Sequence, residues 1–173
     1  VSKFIFWIPK ENTKPNINIK LNRVGINNLK LPIIVSHKYN DVQNTIANVS
    51  CYVDLAADKK GISMSRLPGG LHKYLDTPIN SNIIKDICEN IRVISEAEVC
   101  EIIYEFPYFL LKKSPINNEP GYVDYSITFK GVKSESNYDF KLIVKTTATS
   151  LCPCSKEISN GGAHNQKCYI TIE

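Results

Sequence analysis

The amino-acid sequence predicts an α+β fold, and three observations lead to that class. Two segments near the start have alternating apolar residues, the period of half-buried strands. Two segments with apolar residues three and four apart follow, which is the spacing of amphipathic helices. Alternation then returns. Strands and helices grouped in runs, rather than strictly interleaved, indicate α+β architecture.

Residues 1–23, rich in Asn, Lys and Pro, read as an irregular N-terminal arm. Leu31–His37 is a short β-rich run. Asn44–Leu55 alternates, with Ile46, Val49, Cys51, Val53 and Leu55 as its apolar members and one slip near Asn48. Asp58–Gly61 marks a turn. Helical spacing covers Ser63–Leu75, interrupted at Pro68–Gly70, and then Ser81–Ile94, where Ile83, Ile84, Ile87, Ile91 and Ile94 recur and Ser81 reads as the N-cap. Ala97–Lys112 is strand-like, with Val99, Glu101, Ile103 and Glu105 on one parity and a break at Pro107. After a loop at Ser114–Gly121, Tyr122–Val132 alternates, setting Val123, Tyr125, Ile127 and Phe129 against a polar parity. Asp139–Thr147 and Lys167–Ile172 are further strands, the latter with Cys168, Ile170 and Ile172 on one face. The order divides into a first unit, residues 24–135, reading strand–strand–helix–helix–strand–strand, and the opening hairpin of a second, residues 136–173. The helices and closing hairpin of that second unit are absent from the sequence.

The chain has 173 residues, 43% of them hydrophobic and 22% charged, a globular composition. No apolar run reaches the roughly 18 residues of a membrane helix. The apolar stretch Val1–Pro9 is short and lacks a small-residue cleavage site, so no signal peptide and a cytoplasmic protein are expected. The net charge of +4 comes from scattered lysines. That describes a solvated surface, or one attractive to a polyanion such as a nucleoside triphosphate. No nucleic-acid-binding motif is present.

The cysteines separate into two groups. Cys51, Cys88 and Cys100 lie in apolar-patterned segments and read as small buried hydrophobes. Cys152 and Cys154 share the polar, Gly-rich segment Ser150–Gln166 with His164, between two strands. Thiolate and imidazole are favoured ligands of Zn²⁺. Pro153 fixes the backbone between the two sulfurs, and Asn160-Gly161-Gly162 lets the chain double back towards them. Three ligands suit a catalytic metal, which keeps a position open for water, better than a structural one with four. A metal-free alternative is a cysteine nucleophile, Cys152 or Cys154, activated by Lys156.

The segments SLCPCSKEIS and GAHNQ closely resemble the signature of the type IB GTP cyclohydrolases, members of the tunnelling-fold superfamily. VGINNLKLPIIV (24–35) resembles that family's first strand entry, and KGISMSR (60–66) is similar to its Lys-Gly-Thr-His-Met-Ser-Arg motif. FPYFLLKKSP (106–115) and GYVDYSITFKG (121–131) resemble its central hairpin. The resemblance covers residues 24–173. It implies the tunnelling fold: an antiparallel sheet with two helices on one face, two such units per chain, and assembly as a homotetramer. It also implies hydrolysis of GTP to formate and 7,8-dihydroneopterin 3′-triphosphate by metal-activated water attack at C8, feeding folate-type pterins or queuosine. Cys152 and His164 match the metal-binding pair, with Zn²⁺ or Mn²⁺ as the ion, and Cys154 matches a second cysteine close to the metal.

Two departures accompany the match. The family's third ligand, a glutamate, and its guanine-anchoring acid lie further along than Glu173; neither Glu157 nor Glu173 occupies the matching place. Ser63 stands where the family motif has His. Arg66 and Lys156 are candidates for the triphosphate, since charge-assisted hydrogen bonds suit phosphate oxygens. Both also read as ordinary surface charges. His37 and His72 read as structural, and the aromatics of Tyr104–Phe109 as core or subunit interface. Three function classes follow: a metal-dependent GTP cyclohydrolase, a tunnelling-fold nitrile reductase with a cysteine nucleophile, and a non-catalytic assembly module. Metal content, formate release and NADPH consumption separate them.

Overall fold

The computed structural model describes residue 16 and residues 18–36 and 42–173. Its elements are β1 (Leu21–Ser36), β2 (Val42–Leu55), α1 (Arg66–His72), α2 (Ser81–Ile94), β3 (Val99–Lys113), β4 (Pro120–Ser134), β5 (Tyr138–Leu151), α3 (Pro153–Ile158) and β6 (Asn165–Ile172). All six strands form one antiparallel sheet in the order β1-β2-β3-β4-β5-β6. The α+β class is therefore as the sequence predicts, and the β5–β6 hairpin extends the same sheet that β1–β4 begin.

One face of β1–β4 is the core. Leu31, Ile33 and Val35 of β1, Ala47, Val49, Cys51 and Val53 of β2, and Cys100, Ile102, Tyr104 and Phe106 of β3 are buried there beneath the helices. Helix α2 closes it with Ile84, Ile87, Cys88 and Ile91, all fully buried at spacings of three and four. Each such side chain contributes roughly 1.5–3 kcal/mol of burial. Gly131 lets α2 approach β4, because a Cβ there would stand 2.6 Å from Ile84 Cγ2. Gly70 does the same between α1 and α2, facing Ile91.

Several boundaries differ from the sequence reading for identifiable reasons. Strand β1 begins at Leu21, ten residues before the β-rich run and inside the stretch read as an arm; His37 and residues 1–15 and 17 lie outside the described residues. The early part of β1 lacks a clean alternation, and its pairing is irregular between Leu21 and Val24 and again between Ile26 and Leu29. There Asn28 takes a left-handed conformation (φ 56°), and the Ser50 hydroxyl accepts its N–H at 3.2 Å while donating to Asn27 Oδ1 at 2.7 Å. In β2 there is no slip at Asn48: Ala47 takes the buried parity, and Ile46 points to the other face, 64% exposed.

Helix α1 runs through Pro68–Gly70 instead of breaking there. Pro68 is its third residue, where the missing N–H has no intrahelical acceptor to lose. The N-cap of α2 is Asn80 rather than Ser81: Asn80 is extended, and its side chain accepts from the amides of Asn82 (2.9 Å) and Ile83 (3.0 Å). Strand β3 continues through Pro107. The β2–β3 ladder ends at Asn48↔Glu105, and beyond it the Pro107 carbonyl accepts from the Thr45 hydroxyl at 3.1 Å. The absent N–H of Pro107 thus faces a side where no ladder bond is required. Gln43 completes that margin with a two-way amide contact, donating to the Phe109 carbonyl at 3.1 Å and accepting from the Phe109 N–H at 2.9 Å.

Candidate metal centre

The Cys-Pro-Cys segment lies at the far end of the β5–β6 hairpin. Pairing runs Val144↔Ile172, through Ala148↔Cys168, to Leu151↔Asn165. The next pair in that register is Cys152 opposite His164, and the Cys152 N–H donates to the His164 carbonyl at 3.3 Å. Cys152 retains extended dihedrals (φ −79°, ψ 115°) although it is also the N-cap of α3. Directly opposed residues in an antiparallel pair send their side chains to the same face with Cβ atoms about 5 Å apart. The hairpin therefore sets the main chains of the two residues that the sequence singled out opposite each other.

At Pro153 the chain turns from strand into helix. Proline at the first helical position has the right φ and no amide to satisfy. Helix α3 is six residues long and buries none of them. Cys154, exposed at its second position, keeps a free thiol, as does the half-buried Cys152. Lys156 donates its amide to the Cys152 carbonyl at 3.1 Å, and its side chain is exposed. After α3, Asn160 (φ 51°) and Gly161 (φ 102°) occupy left-handed conformations that reverse the chain towards His164.

Serine hydroxyls tie this loop together. The His164 amide donates to Ser155 Oγ at 3.3 Å. The Ser159 hydroxyl lies 2.5 Å from the Ser155 carbonyl and also within bonding reach of the Gly162 carbonyl. Sequence reasoning did not single out Ser155 or Ser159. The available signal was their spacing of four, one helical turn apart, within SLCPCSKEIS.

The remaining candidates lie elsewhere. Arg66 opens α1 and donates to the Ile94 carbonyl at 2.8 Å, near the C-terminal end of α2. Ser63 hydrogen-bonds with Ser65 at 3.3 Å beside it. Glu157 is exposed on α3, and Glu173 pairs with Lys141 at 2.8 Å, which holds its carboxyl below the usual range. Cys51, Cys88 and Cys100 are fully buried; contact with Cys51 and Cys88, together with burial, pushes the Cys100 thiol far up, so it stays protonated. Tyr104 and Phe106 belong to the core, as expected.

The donor set suits a borderline-soft divalent ion in kind: a cysteine sulfur and an imidazole on opposed residues, with a second cysteine two residues on. Among the described residues no group of three His, Cys, Asp or Glu side chains is assembled as a cage. An ion held by Cys152 and His164 would draw its other ligands from water or from protein outside that group. No described helix is long and apolar enough to cross a membrane.

An antiparallel sheet backed by two helices, with a cysteine–histidine pair at the tip of an edge hairpin, defines a class: an α+β protein that carries its candidate site on a hairpin. The family model of type I GTP cyclohydrolase folE2 matches residues 10–173, and the chain belongs to that family. GTP cyclohydrolase FolE2 of Pseudothermotoga lettingae is 41% identical over 162 residues, covering 94% of this chain and 62% of that protein. The Fervidobacterium nodosum protein of the same name is 40% identical, covering 94% and 63%. That of Nitratidesulfovibrio vulgaris is 35% identical, covering 94% and 61%. The chain thus spans a little over three-fifths of the length of these curated relatives.

Proposed function

We propose that this chain carries the metal-binding part of a GTP cyclohydrolase site, acting in the hydrolysis of GTP to formate and 7,8-dihydroneopterin 3′-triphosphate. The observation that carries the reading is the sheet register that sets Cys152 opposite His164. Family membership and the names of the relatives support the substrate.

In this reading Cys152 Sγ and one ring nitrogen of His164 hold a single Zn²⁺ or Mn²⁺. When bound, such an ion makes a water nucleophile available near neutral pH, which GTP C8 requires because it is a poor electrophile. Cys154, exposed two residues after Cys152, tunes or assists that ion. Lys156 lies on α3, between Cys152 and His164 in the chain, and its exposed side chain is available to triphosphate oxygens. Arg66 is the second candidate for that contact, although one of its N–H groups is already given to the Ile94 carbonyl. The wider reading is a cytoplasmic homotetramer of tunnelling fold, with two units per complete chain and a product destined for folate-type pterins or queuosine. The single sheet with two helices on one face supports the fold part of it.

The test is Zn²⁺ uptake together with GTP-dependent formate release. Cys152→Ala and His164→Ala are each expected to weaken Zn²⁺ binding by at least about tenfold, since loss of even an outer-shell partner costs about 10–100-fold. Formate release should fall in step. A Cys152→Ala protein with full metal content and undiminished formate release would refute the assignment.

A further inference from the structure

We infer that Ser155 is a positioning residue of this metal centre, its hydroxyl holding the His164 main chain opposite Cys152 where β5 leaves the sheet. This rests on the metal reading above and deepens it.

The argument is an account of hydrogen-bond acceptors. A hydrogen-bonded antiparallel pair exchanges two bonds, each residue giving its N–H to the other's carbonyl. Cys152 gives its N–H to His164. The return bond is not made: the Cys152 carbonyl accepts from Lys156 in the first turn of α3, and the His164 amide goes elsewhere. Converting strand to helix at Pro153 thus turns that carbonyl along α3 instead of across to His164. Ser155 Oγ replaces it, at 3.3 Å from the His164 amide. Ser155 is in turn fixed through its carbonyl, which accepts from the Ser159 amide at 3.1 Å and lies 2.5 Å from the Ser159 hydroxyl.

Nothing else in α3 performs this task. The helix buries no residue, has no side-chain bond at its N-cap and no acidic residue in its first turn. At six residues it is far below the roughly 12–15 at which an isolated helix becomes even marginal. Past the last ladder pair, the direct ties on the His164 main chain are the bond from the Cys152 amide and the bond to the Ser155 hydroxyl.

Both groups are close to solvent, so water can take the place of the hydroxyl without destabilising the fold. Ligand placement, rather than global stability, is what should change. The experiment measures Zn²⁺ affinity of the full 173-residue chain by competition with a chromophoric chelator, alongside urea midpoints. Ser155→Ala is expected to lower affinity by about 10–100-fold with an unchanged midpoint, and Ser155→Thr, which keeps the hydroxyl, to restore it. Wild-type binding with undiminished affinity in Ser155→Ala overturns the inference while leaving the metal reading standing. A loss in Ser155→Ala that Ser155→Thr fails to rescue overturns it as well. A wild-type chain that takes up no Zn²⁺ overturns the metal reading and this inference together.

Discussion

Gly25 lies where β1 crosses directly against β2, paired with Tyr52. A Cβ at that position would stand 2.0 Å from the Cys51 carbonyl oxygen and 2.8 Å from Tyr52 Cα, both main-chain atoms that cannot swing aside. At Gly131 the obstacle is the Ile84 Cγ2 methyl, a side-chain atom that a small shift of α2 can withdraw. Gly25→Ala is therefore expected to destabilise more than Gly131→Ala. It should fall at or above the upper end of the roughly 1–3 kcal/mol typical of overpacking, read from urea unfolding of both variants. Equal losses would mean that β1 shifts freely along its bulge. Little of this was legible in the sequence, because the constraint at Gly25 is set by a strand some 26 positions away. The chemistry of Cys152 and His164 was legible from residue type alone. Their opposition depends on a register that only the ladder supplies. Ser155 was not legible at all, since its role arises where the Cys152 carbonyl turns into α3 and the His164 amide meets a serine hydroxyl instead.

At the scale of elements, the long apolar periods read correctly and their ends did not. Ser81–Ile94 was evident from its isoleucines, but Asn80 and Ser81 are both good caps by residue type. Backbone geometry decides between them: Asn80 is extended (φ −153°, ψ −179°), and its side chain takes two amides. Asn80→Ala is expected to cost about 1 kcal/mol, and Ser81→Ala close to nothing, in paired urea titrations. The reverse ranking would move the helix start by one residue. Pro107 shows the same limit in a strand. Proline reads as a break because it lacks a ladder donor, and it is tolerated here because the β2–β3 ladder has already ended at Asn48↔Glu105. Where a neighbouring strand stops is a property of the pair, which a single segment does not display.

For the whole molecule, burial is unevenly distributed, and this predicts how the sheet opens. The buried core belongs to β1–β4 and the first two helices; β5 has no fully buried residue, and every residue of β6 is exposed. Strands β5 and β6 are held mainly by their ladder bonds, while β2 and β3 are held by ladder bonds on both sides and by the buried core. Local opening free energies follow buried apolar contact. In native-state hydrogen exchange, the amides of Val49, Cys51 and Ile102 should open only with global unfolding. Those of Lys167–Thr171 should exchange well before them. The hairpin that carries Cys152 and His164 would then be the least stable part of the sheet, and ion binding at its tip should slow exchange along β6 by holding the two strands together. If β6 amides in the metal-free chain prove as protected as those of β3, this gradient is wrong. The side of the hairpin that bears Leu142, Val144, Ile170 and Ile172 would then have to be covered in solution.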